Sequence, residues 1–373
     1  MRDVTCDILV VGAGPAGSSA ARAAAWEGAH VLLAERRPVV EYIPAMLVGQ
    51  ADVGQGYIVQ NTTGMRSFLH GRCIQDMAAP GCLIDRHLFD QALADAAVRA
   101  GAQLLVGHSA LTRAADGTVL LAGPGGTRLR VRATVIIGAD GPQPRVAHWA
   151  GLGRSRCLPA VQVRLPLREK LEHTHIYFDE SVTAGYAWLF PKGDVANVGL
   201  GMLPQAGRPG LRRVLQRFVR GLAGLGLVGD CELGSTCGWI PAGAPRPCVA
   251  DNVLLAGDAA GHTHPITGAG IFQAVMGGRM AGRWAALAAD EELHGVVEVA
   301  VGDLGGGQAL DLHVDADLTQ HGLDDGGGAD IGIGSAHGQH QIQAAAVAGL
   351  LQQGLGSLGV IGGDQGLQGG VIA

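Results

Sequence analysis

Three glycines near the N-terminus are spaced to bind a phosphate group. Gly12, Gly14 and Gly17 form the pattern G-x-G-x-x-G between an apolar run, residues 8–11, and an alanine-rich segment. In such a turn the first glycine allows the bend, the second lets the backbone approach a pyrophosphate, and the third lets the helix pack closely on the strand. Free N–H groups at the helix N-terminus then attract the anion. We therefore predict a dinucleotide site at this turn, in which Ala16 also takes part.

The residues around this turn predict a βαβ unit. Residues 7–36 contain a strand pattern, the glycine turn, a helix pattern, a stop at Gly28 and a second strand that ends in Glu35. Glu35 lies 18 residues beyond Gly17, where an acid can bind a pair of ribose hydroxyls. A glutamate at this place favours an unphosphorylated ribose, which fits FAD and NAD equally well.

Two later segments each carry an acid directly after a buried strand. Residues 133–141 read ATVIIGADG and end around Asp140; residues 252–271 read NVLLAGDAAGHTHPITGAGI and carry Asp258. A domain that binds only NAD does not need these segments. For both aspartates the structural alternative is a helix N-cap without a ligand.

Together the three segments resemble a flavoprotein family that includes aromatic hydroxylases and geranylgeranyl reductases. In that family the chain returns twice to the first domain to complete an FAD site. The resemblance implies that Asp258 binds the ribityl and pyrophosphate region, and that Gly270 and Ile271 bring helix N–H groups to the flavin ring. A helix N-terminus there stabilises negative charge on the reduced ring.

A further stretch resembles the geranylgeranyl reductases in particular. Residues 186–201 read YAWLFPKGDVANVGLG, which is similar to the family signature Y-x-W-x-F-P followed by G-x-G. In a strand, Tyr186, Trp188 and Phe190 share one face and form an apolar wall. The resemblance implies that this wall lines the path of an isoprenoid chain. The core of a sheet would show the same alternation.

Residues 81–93, GCLIDRHLFDQAL, resemble the family segment R-x-x-F-D-x-x-L. The resemblance makes Arg86 a candidate flavin contact. The alternative is a surface salt bridge to Asp90, which follows four residues later on the same predicted helix. By analogy with the family, Ala110 at the end of the next strand abuts the adenine.

One departure from the family bears on the reaction. Many archaeal members place a Cys-Gly element soon after the ribose-binding acid, whereas this chain has no cysteine between Cys6 and Cys73. The leading interpretation is an enzyme in which reduced FAD passes a hydride to a carbon–carbon double bond of a polyprenyl lipid. The alternative is an FAD-dependent monooxygenase that hydroxylates an aromatic or apolar substrate. The reductant would be NAD(P)H or a ferredoxin-type donor, and no residue in the sequence indicates a proton donor.

The composition predicts a globular protein without metal or disulfides. The chain has 373 residues, of which 47% are hydrophobic and 16% charged. Seven cysteines, an odd number without a CxxC pair, indicate neither a zinc site nor a disulfide framework. No apolar run reaches the roughly 18 residues of a membrane span. The N-terminus lacks the pattern of a secretory signal, so we expect a cytoplasmic protein.

The last 90 residues differ in composition from the rest of the chain. Residues 1–283 hold all 27 Lys and Arg against 21 acids, a net charge of +6, whereas residues 284–373 hold 12 acids and 21 glycines. Glycine-rich sequence without aromatic residues has little to offset backbone ordering entropy. We therefore predict a low-complexity tail at 291–373. One hypothesis is that it is read out of frame relative to an intact ancestor, which would leave an inactive remnant; the alternative is a natural flexible tail.

One predicted helix bears on partners. Residues 210–227 place apolar side chains at helical spacing on one side and four arginines towards the other, namely Arg212, Arg213, Arg217 and Arg220. Such a helix could rest on an anionic membrane; the alternative is packing on a sheet with a solvated basic face. The modest positive charge without interleaved aromatic residues argues against nucleic acid. The sequence does not indicate an oligomeric state.

These observations predict an α/β protein. A Rossmann-like FAD-binding domain is expected from residues 1–150 and 245–290, with an antiparallel-sheet substrate domain inserted at 155–240.

Overall fold

A computed structural model describes residues 1–37, 54–243, 247–264 and 268–290, and the backbone of two short strands further on. The chain divides into two compact units, Met1–His294 and Gly295–Ala373. In the second unit the described strands, at 311–314 and 340–343, pair antiparallel. The rest of the predicted low-complexity tail lies outside the described residues.

Five helices and seventeen strands are described in the first unit. The helices are α1 (Pro15–Trp26), α2 (Arg86–Arg99), α3 (Arg145–Trp149), α4 (Leu211–Gly224) and α5 (Ile271–Ala289). The strands, in chain order, are β1 (Arg2–Val11), β2 (Val31–Glu35), β3 (Ile58–Thr62), β4 (Gly64–Leu69), β5 (Arg72–Met77), β6 (Gly81–Ile84), β7 (Gln103–Val106), β8 (Ser109–Arg113), β9 (Val119–Ala122), β10 (Arg128–Gly138), β11 (Cys157–Pro166), β12 (His173–Phe178), β13 (Tyr186–Lys192), β14 (Val195–Gly201), β15 (Gly234–Pro241), β16 (Val249–Ala250) and β17 (Val253–Leu255).

The first sheet has the parallel core that the βαβ pattern predicts. Strands β17, β10, β1, β2 and β7 lie side by side and parallel, with β16 antiparallel at one edge. The hairpin β8–β9 joins through β10. The predicted α/β class with a Rossmann-like sheet is confirmed. The carboxyl ends of the parallel strands therefore meet at one edge, where ligands bind in open α/β sheets.

Helices α1 and α5 pack on this sheet and cross each other at a very short distance between their backbones. A Cβ added at Gly278 would lie 2.1 Å from the carbonyl oxygen of Ala16, and one at Gly282 would lie 2.2 Å from that of Ala20. Only glycine fits at these two positions of α5 without moving the backbone of α1. The contact ties α5, which comes late in the chain, to the helix that follows the glycine turn.

The second sheet has seven strands in the order β15-β11-β14-β13-β12-β4-β5. It is antiparallel except where β4 runs parallel to β12. The boundary differs here from the prediction, because β4 and β5 fall within residues 1–150 yet pair with the sheet expected at 155–240. Their pairing with β12 spans about a hundred residues of chain and leaves no local pattern in the sequence.

One face of this second sheet is buried under α4. The helix α4 contacts β11 and β14, and its Val214, Leu215 and Leu222 share one hydrophobic core with Ala187 and Leu189 of β13. The four arginines of α4 are exposed on its other side. The structure therefore has the packed arrangement with a solvated basic face.

A buried histidine on the α4 face of β12 predicts a pH effect on stability. His175 lies 5.0 Å from the Phe68 ring, and its Nδ1 is 3.1 Å from the Tyr177 hydroxyl. Burial, with smaller contributions from Arg66 and His173, lowers the pKa of His175 from 6.5 to about 4. Between these values the unfolded chain binds the extra proton, so folding stability falls as the pH is lowered.

The substitution His175→Phe should remove this dependence. We expect the wild type to lose up to about 1.4 kcal/mol per pH unit relative to the variant as the pH falls from 6.5 towards 4. Urea unfolding of both proteins across this range measures the difference. Parallel pH profiles for the two proteins would contradict the prediction.

Candidate functional site

The glycine turn after β1 leaves its open side free for a ligand. Gly12 has φ +101°, and a Cβ there would lie 2.3 Å from the Ala139 carbonyl oxygen; a Cβ on Gly17 would lie 1.8 Å from that of Gly12. At Gly14, the N-cap of α1, an added Cβ would meet nothing within 4 Å. Two glycines are therefore required by packing, and the third faces the space where a pyrophosphate is predicted.

Ala16 lies beneath this turn. It is buried, and a Cβ on Gly257 would come within 2.8 Å of its own Cβ. The short 3₁₀ turn Gly257–Ala260, which follows β17, therefore packs directly on the start of α1. The glycine turn and the later segment at residues 252–271 therefore meet here.

Glu35, at the end of β2, reaches back to the glycine turn. Its Oε2 accepts a hydrogen bond from the Ala13 N–H at 2.7 Å, and its Oε1 accepts one from Arg37 N–H at 2.5 Å. The carboxylate thus lies next to the N-terminus of α1, at the position predicted for a ribose-binding acid.

Asp140, after β10, combines a cap with a free oxygen. Its Oδ2 accepts hydrogen bonds from the backbone N–H groups of Arg145 (2.6 Å) and Val146 (3.2 Å), which caps α3. Its Oδ1 is buried and has no hydrogen-bond partner among the described residues. Burial raises the pKa of Asp140. Capping of α3 therefore accounts for one carboxylate oxygen of Asp140 and leaves the other available to a ligand.

Ala110 lies nearby on β8 and is buried. Its carbonyl oxygen accepts a hydrogen bond from Arg145 Nη1 at 3.0 Å. Its contact with an adenine stays a prediction.

Asp258 lies beside the N-terminus of α5. Its Oδ1 accepts a hydrogen bond from Thr263 Oγ1 at 2.8 Å. A Cβ on Gly270, the N-cap of α5, would lie 3.4 Å from the same Oδ1. Burial raises the pKa of Asp258, and the Thr263 hydrogen bond and the charge of Arg86 oppose the shift. The Asp258 carboxyl group thus lies beside the N-terminus of α5, where Gly270 and Ile271 are predicted to bring N–H groups to the flavin.

Arg86 is close to this spot and is paired with Asp90. Its Nε and Nη2 donate to the two oxygens of Asp90 at 2.8 and 2.9 Å. Burial raises the pKa of Asp90, Arg86 lowers it, and the charge of Glu35 raises it further. The predicted ion pair with Asp90 is therefore present, but it is buried and not on the helix surface. Contact of Arg86 with the flavin stays a prediction. Asp90 and Thr263 were missed as site residues from the sequence, although the four-residue spacing of Asp90 was a usable signal.

The aromatic wall lies on the face of the second sheet opposite α4. The Tyr186 and Trp188 rings are 5.9 Å apart, and those of Trp188 and Phe190 are 6.1 Å apart. Trp188 Nε1 donates to Gln162 Oε1 at 3.3 Å. A Cβ on Gly199 would lie 2.4 Å from the Trp188 ring. The first glycine of the G-x-G pattern therefore makes room for the indole.

The wall faces the start of α5. A Cβ on Gly268 would lie 3.0 Å from the Tyr186 hydroxyl oxygen. Tyr186, Trp188, Ile240 and Gly268 line a small cavity of about 40 Å³. The apolar face of the second sheet and the predicted flavin position therefore adjoin each other.

These residues fit FAD. The backbone at Gly14 is open, Asp140 Oδ1 lacks a partner in the described part of the chain, and the first N–H groups of α1 and α5 have no acceptor within their own helices. Across the described ranges, no group of three His, Cys, Asp or Glu side chains is placed to hold a metal ion. In the same ranges no helix is both long and apolar enough to cross a membrane.

Comparison with known proteins gives one consistent family. A family model described as the geranylgeranyl reductase catalytic domain matches residues 158–224. Digeranylgeranylglycerophospholipid reductase 1 of Methanothermobacter thermautotrophicus is 33% identical over 312 residues, which cover 76% of this chain and 78% of the relative. The relatives are named as reductases, which makes the monooxygenase alternative the weaker one.

Solved structures agree with this assignment. The geranylgeranyl bacteriochlorophyll reductase-like protein of Thermoplasma acidophilum superposes with a TM-score of 0.69 at 27% identity, over 81% of this chain and 84% of that one. A flavoprotein/dehydrogenase of Cytophaga hutchinsonii, at 18% identity and a TM-score of 0.62 over 81% of this chain and 86% of its own, shares the fold. The chain belongs to the geranylgeranyl reductase family of FAD-dependent oxidoreductases.

Proposed function

We propose that the protein saturates carbon–carbon double bonds in the polyprenyl chains of a glycerophospholipid. The single observation that carries this proposal is the aromatic face of β13, which adjoins the N-terminus of α5 through Gly268. An isoprenoid chain lying along Tyr186, Trp188 and Phe190 would run to the flavin site. The names of the relatives supply the lipid class.

The residues of the chain would bind the cofactor, orient the substrate and exclude water from the site. Bound FAD, once reduced, would supply the hydride, and a proton would complete each saturation. Glu35 would hold the ribose, Asp140 Oδ1 and Asp258 would accept hydrogen bonds from the cofactor, and the N–H groups at Gly270 and Ile271 would stabilise negative charge on its ring. The aromatic wall holds an alkene without polar partners, so its contribution is positioning in a dry site.

The proposal is tested with photoreduced protein under anaerobic conditions. Adding a phospholipid with geranylgeranyl chains should reoxidise the flavin, and mass spectrometry should show two hydrogen atoms added for each double bond reduced. A phospholipid with fully saturated chains of the same length is the control. Oxidation only after air is admitted, with an oxygen atom added to the product, would instead identify a monooxygenase. Photoreduction bypasses the physiological reductant, which we propose is NAD(P)H or a ferredoxin-type donor.

We further propose that the basic face of α4 rests on an anionic lipid surface. Its four arginines are exposed and no acidic residue lies within Leu211–Gly224. Each basic residue near such a surface contributes about 1 kcal/mol of attraction. Binding to phosphatidylglycerol vesicles should therefore exceed binding to phosphatidylcholine vesicles, and glutamine at all four positions should abolish the difference.

A matched variant tests whether this effect is specific to α4. Glutamine at Arg2, Arg72, Arg99 and Arg128 together removes the same number of exposed arginines elsewhere on the first unit. Co-sedimentation with phosphatidylglycerol vesicles should be kept in that variant. Equal loss in both variants would indicate that only the overall charge matters and would overturn the assignment to α4.

A further inference from the structure

The first five residues of α2 hold a buried ion pair at the edge of the predicted flavin site. The Asp90 side chain is 3% exposed and that of Arg86 is 14% exposed. Two parallel hydrogen bonds join the guanidinium to both carboxylate oxygens. Such a bidentate pair fixes the plane of the guanidinium as well as its position.

The surroundings of the pair are rigid. Asp85 caps α2 by accepting hydrogen bonds from the N–H groups of His87 and Leu88 at 2.9 and 3.2 Å. Phe89, between the two charged residues in sequence, is fully buried and packs edge-on against Tyr57 at 4.9 Å. Val275 of α5 belongs to the same core. The start of α2 is thus anchored to the helix whose N-terminus faces the flavin.

The pair leaves part of the guanidinium for another acceptor. A guanidinium has five N–H groups, and Asp90 takes one on Nε and one on Nη2. Phe89, the residue before Asp90, lies in one core cluster against which Ile271 at the N-terminus of α5 packs, so the start of α2 adjoins the start of α5. The charge of Arg86 lowers the pKa of Asp258 as well as that of Asp90. Asp258 in turn lies beside Gly270, at the start of α5.

We propose that Asp90 is a positioning residue for the cofactor. It holds the Arg86 guanidinium so that the remaining N–H groups are directed to an anionic or carbonyl oxygen of FAD next to Asp258. It does not itself touch the cofactor. The inference rests on the FAD site of the proposed function and is independent of which substrate is reduced.

FAD binding to flavin-free protein tests this role. We expect Asp90→Asn and Arg86→Met each to raise the FAD dissociation constant roughly 10- to 100-fold, the loss of about one charge-assisted hydrogen bond. Quenching of FAD fluorescence on titration measures it. Asp95→Asn removes the same charge from an exposed position of α2 and should leave the dissociation constant unchanged.

The double variant Arg86→Met/Asp90→Leu separates positioning from a purely structural role. Replacing a buried ion pair by apolar residues restores packing without leaving an unpaired charge. We therefore expect its thermal midpoint to return towards that of the wild type, while its FAD affinity stays as low as that of Arg86→Met. Losses that multiply in the double variant, or wild-type affinity in Asp90→Asn, would overturn the proposal.

Failure of the positioning role of Asp90 is distinguishable from failure of the proposed lipid reduction. A wild-type protein that binds FAD but does not reduce the lipid leaves the affinity comparison valid. A wild-type protein that does not bind FAD would overturn both.

Discussion

The substitution Gly14→Val is expected to weaken FAD binding strongly while the protein stays folded. A Cβ added at Gly14 meets nothing within 4 Å, and the φ of −71° there suits any residue. The added atoms occupy the space that a pyrophosphate needs to reach the N–H groups of α1. Loss of two such charge-assisted hydrogen bonds, at about 1.5–3 kcal/mol each, should weaken binding by roughly two orders of magnitude or more. Titration of the flavin-free protein measures this.

Gly17→Ala provides the contrast. Its Cβ would lie 1.8 Å from the Gly12 carbonyl oxygen, a backbone atom that can move only if α1 separates from β1. We expect this variant to lose both stability and FAD binding, because overpacking against backbone costs about 1–3 kcal/mol or more. Thermal unfolding of the two flavin-free variants distinguishes them. Normal FAD affinity in Gly14→Val, or a lower thermal midpoint there than in Gly17→Ala, would contradict our assignment of the open side.

The first domain could be predicted because its signals are local. Gly12 needs a positive φ, Gly17 a close approach and Glu35 a strand end, and all three requirements are visible within 30 residues of sequence. The later segments around Asp140 and Asp258 follow the same rule of a buried strand and an acidic turn. A parallel sheet then brings their carboxyl ends together without further information.

The second sheet could be predicted only in part. The alternation of side chains along β13 predicted the aromatic face, because the intervening Ala187 and Leu189 belong to the core on the α4 side of the sheet. The pairing of β4 with β12 was missed, because β5 is exposed along its whole length and β4 shows no strict alternation. Strand pairing across a long stretch of chain depends on the packing of the whole unit, which local periodicity does not report.

The site residues show the same limit. The four-residue spacing of Arg86 and Asp90 predicts an ion pair on a helix, and the pair exists. Its burial depends on the core that α2 forms with β6 and α5, around Phe89. Burial turns an ordinary surface ion pair into a fixed group at the edge of the site. The spacing of Arg86 and Asp90 alone could not indicate this burial.

Gly199→Ala is expected to impair lipid reduction without changing the flavin site. The new Cβ would lie 2.4 Å from the Trp188 ring and 2.6 Å from Gln162 Cβ. The strand backbone is held by pairing on both sides, so the indole must move away from the sheet and into the small cavity beside Tyr186. The hydrogen bond from Trp188 Nε1 to Gln162 would break.

The contact with Gln162 Cβ also costs stability, so activity is compared per mole of folded, FAD-loaded protein; in that protein the displaced indole should act on substrate positioning. A displacement of about 1 Å at a reacting centre can lower the rate by about 10²-fold, so we expect kcat/KM for a geranylgeranyl phospholipid to fall roughly 10- to 100-fold. FAD affinity should not change, because Gly199 is on the second sheet. Gly238→Ala, on the exposed edge strand β15 where a Cβ meets nothing within 4 Å, is the matched control and should retain full activity. Equal activity in Gly199→Ala and Gly238→Ala would mean that the substrate does not lie along Trp188, and the aromatic face would then have to be regarded as sheet core.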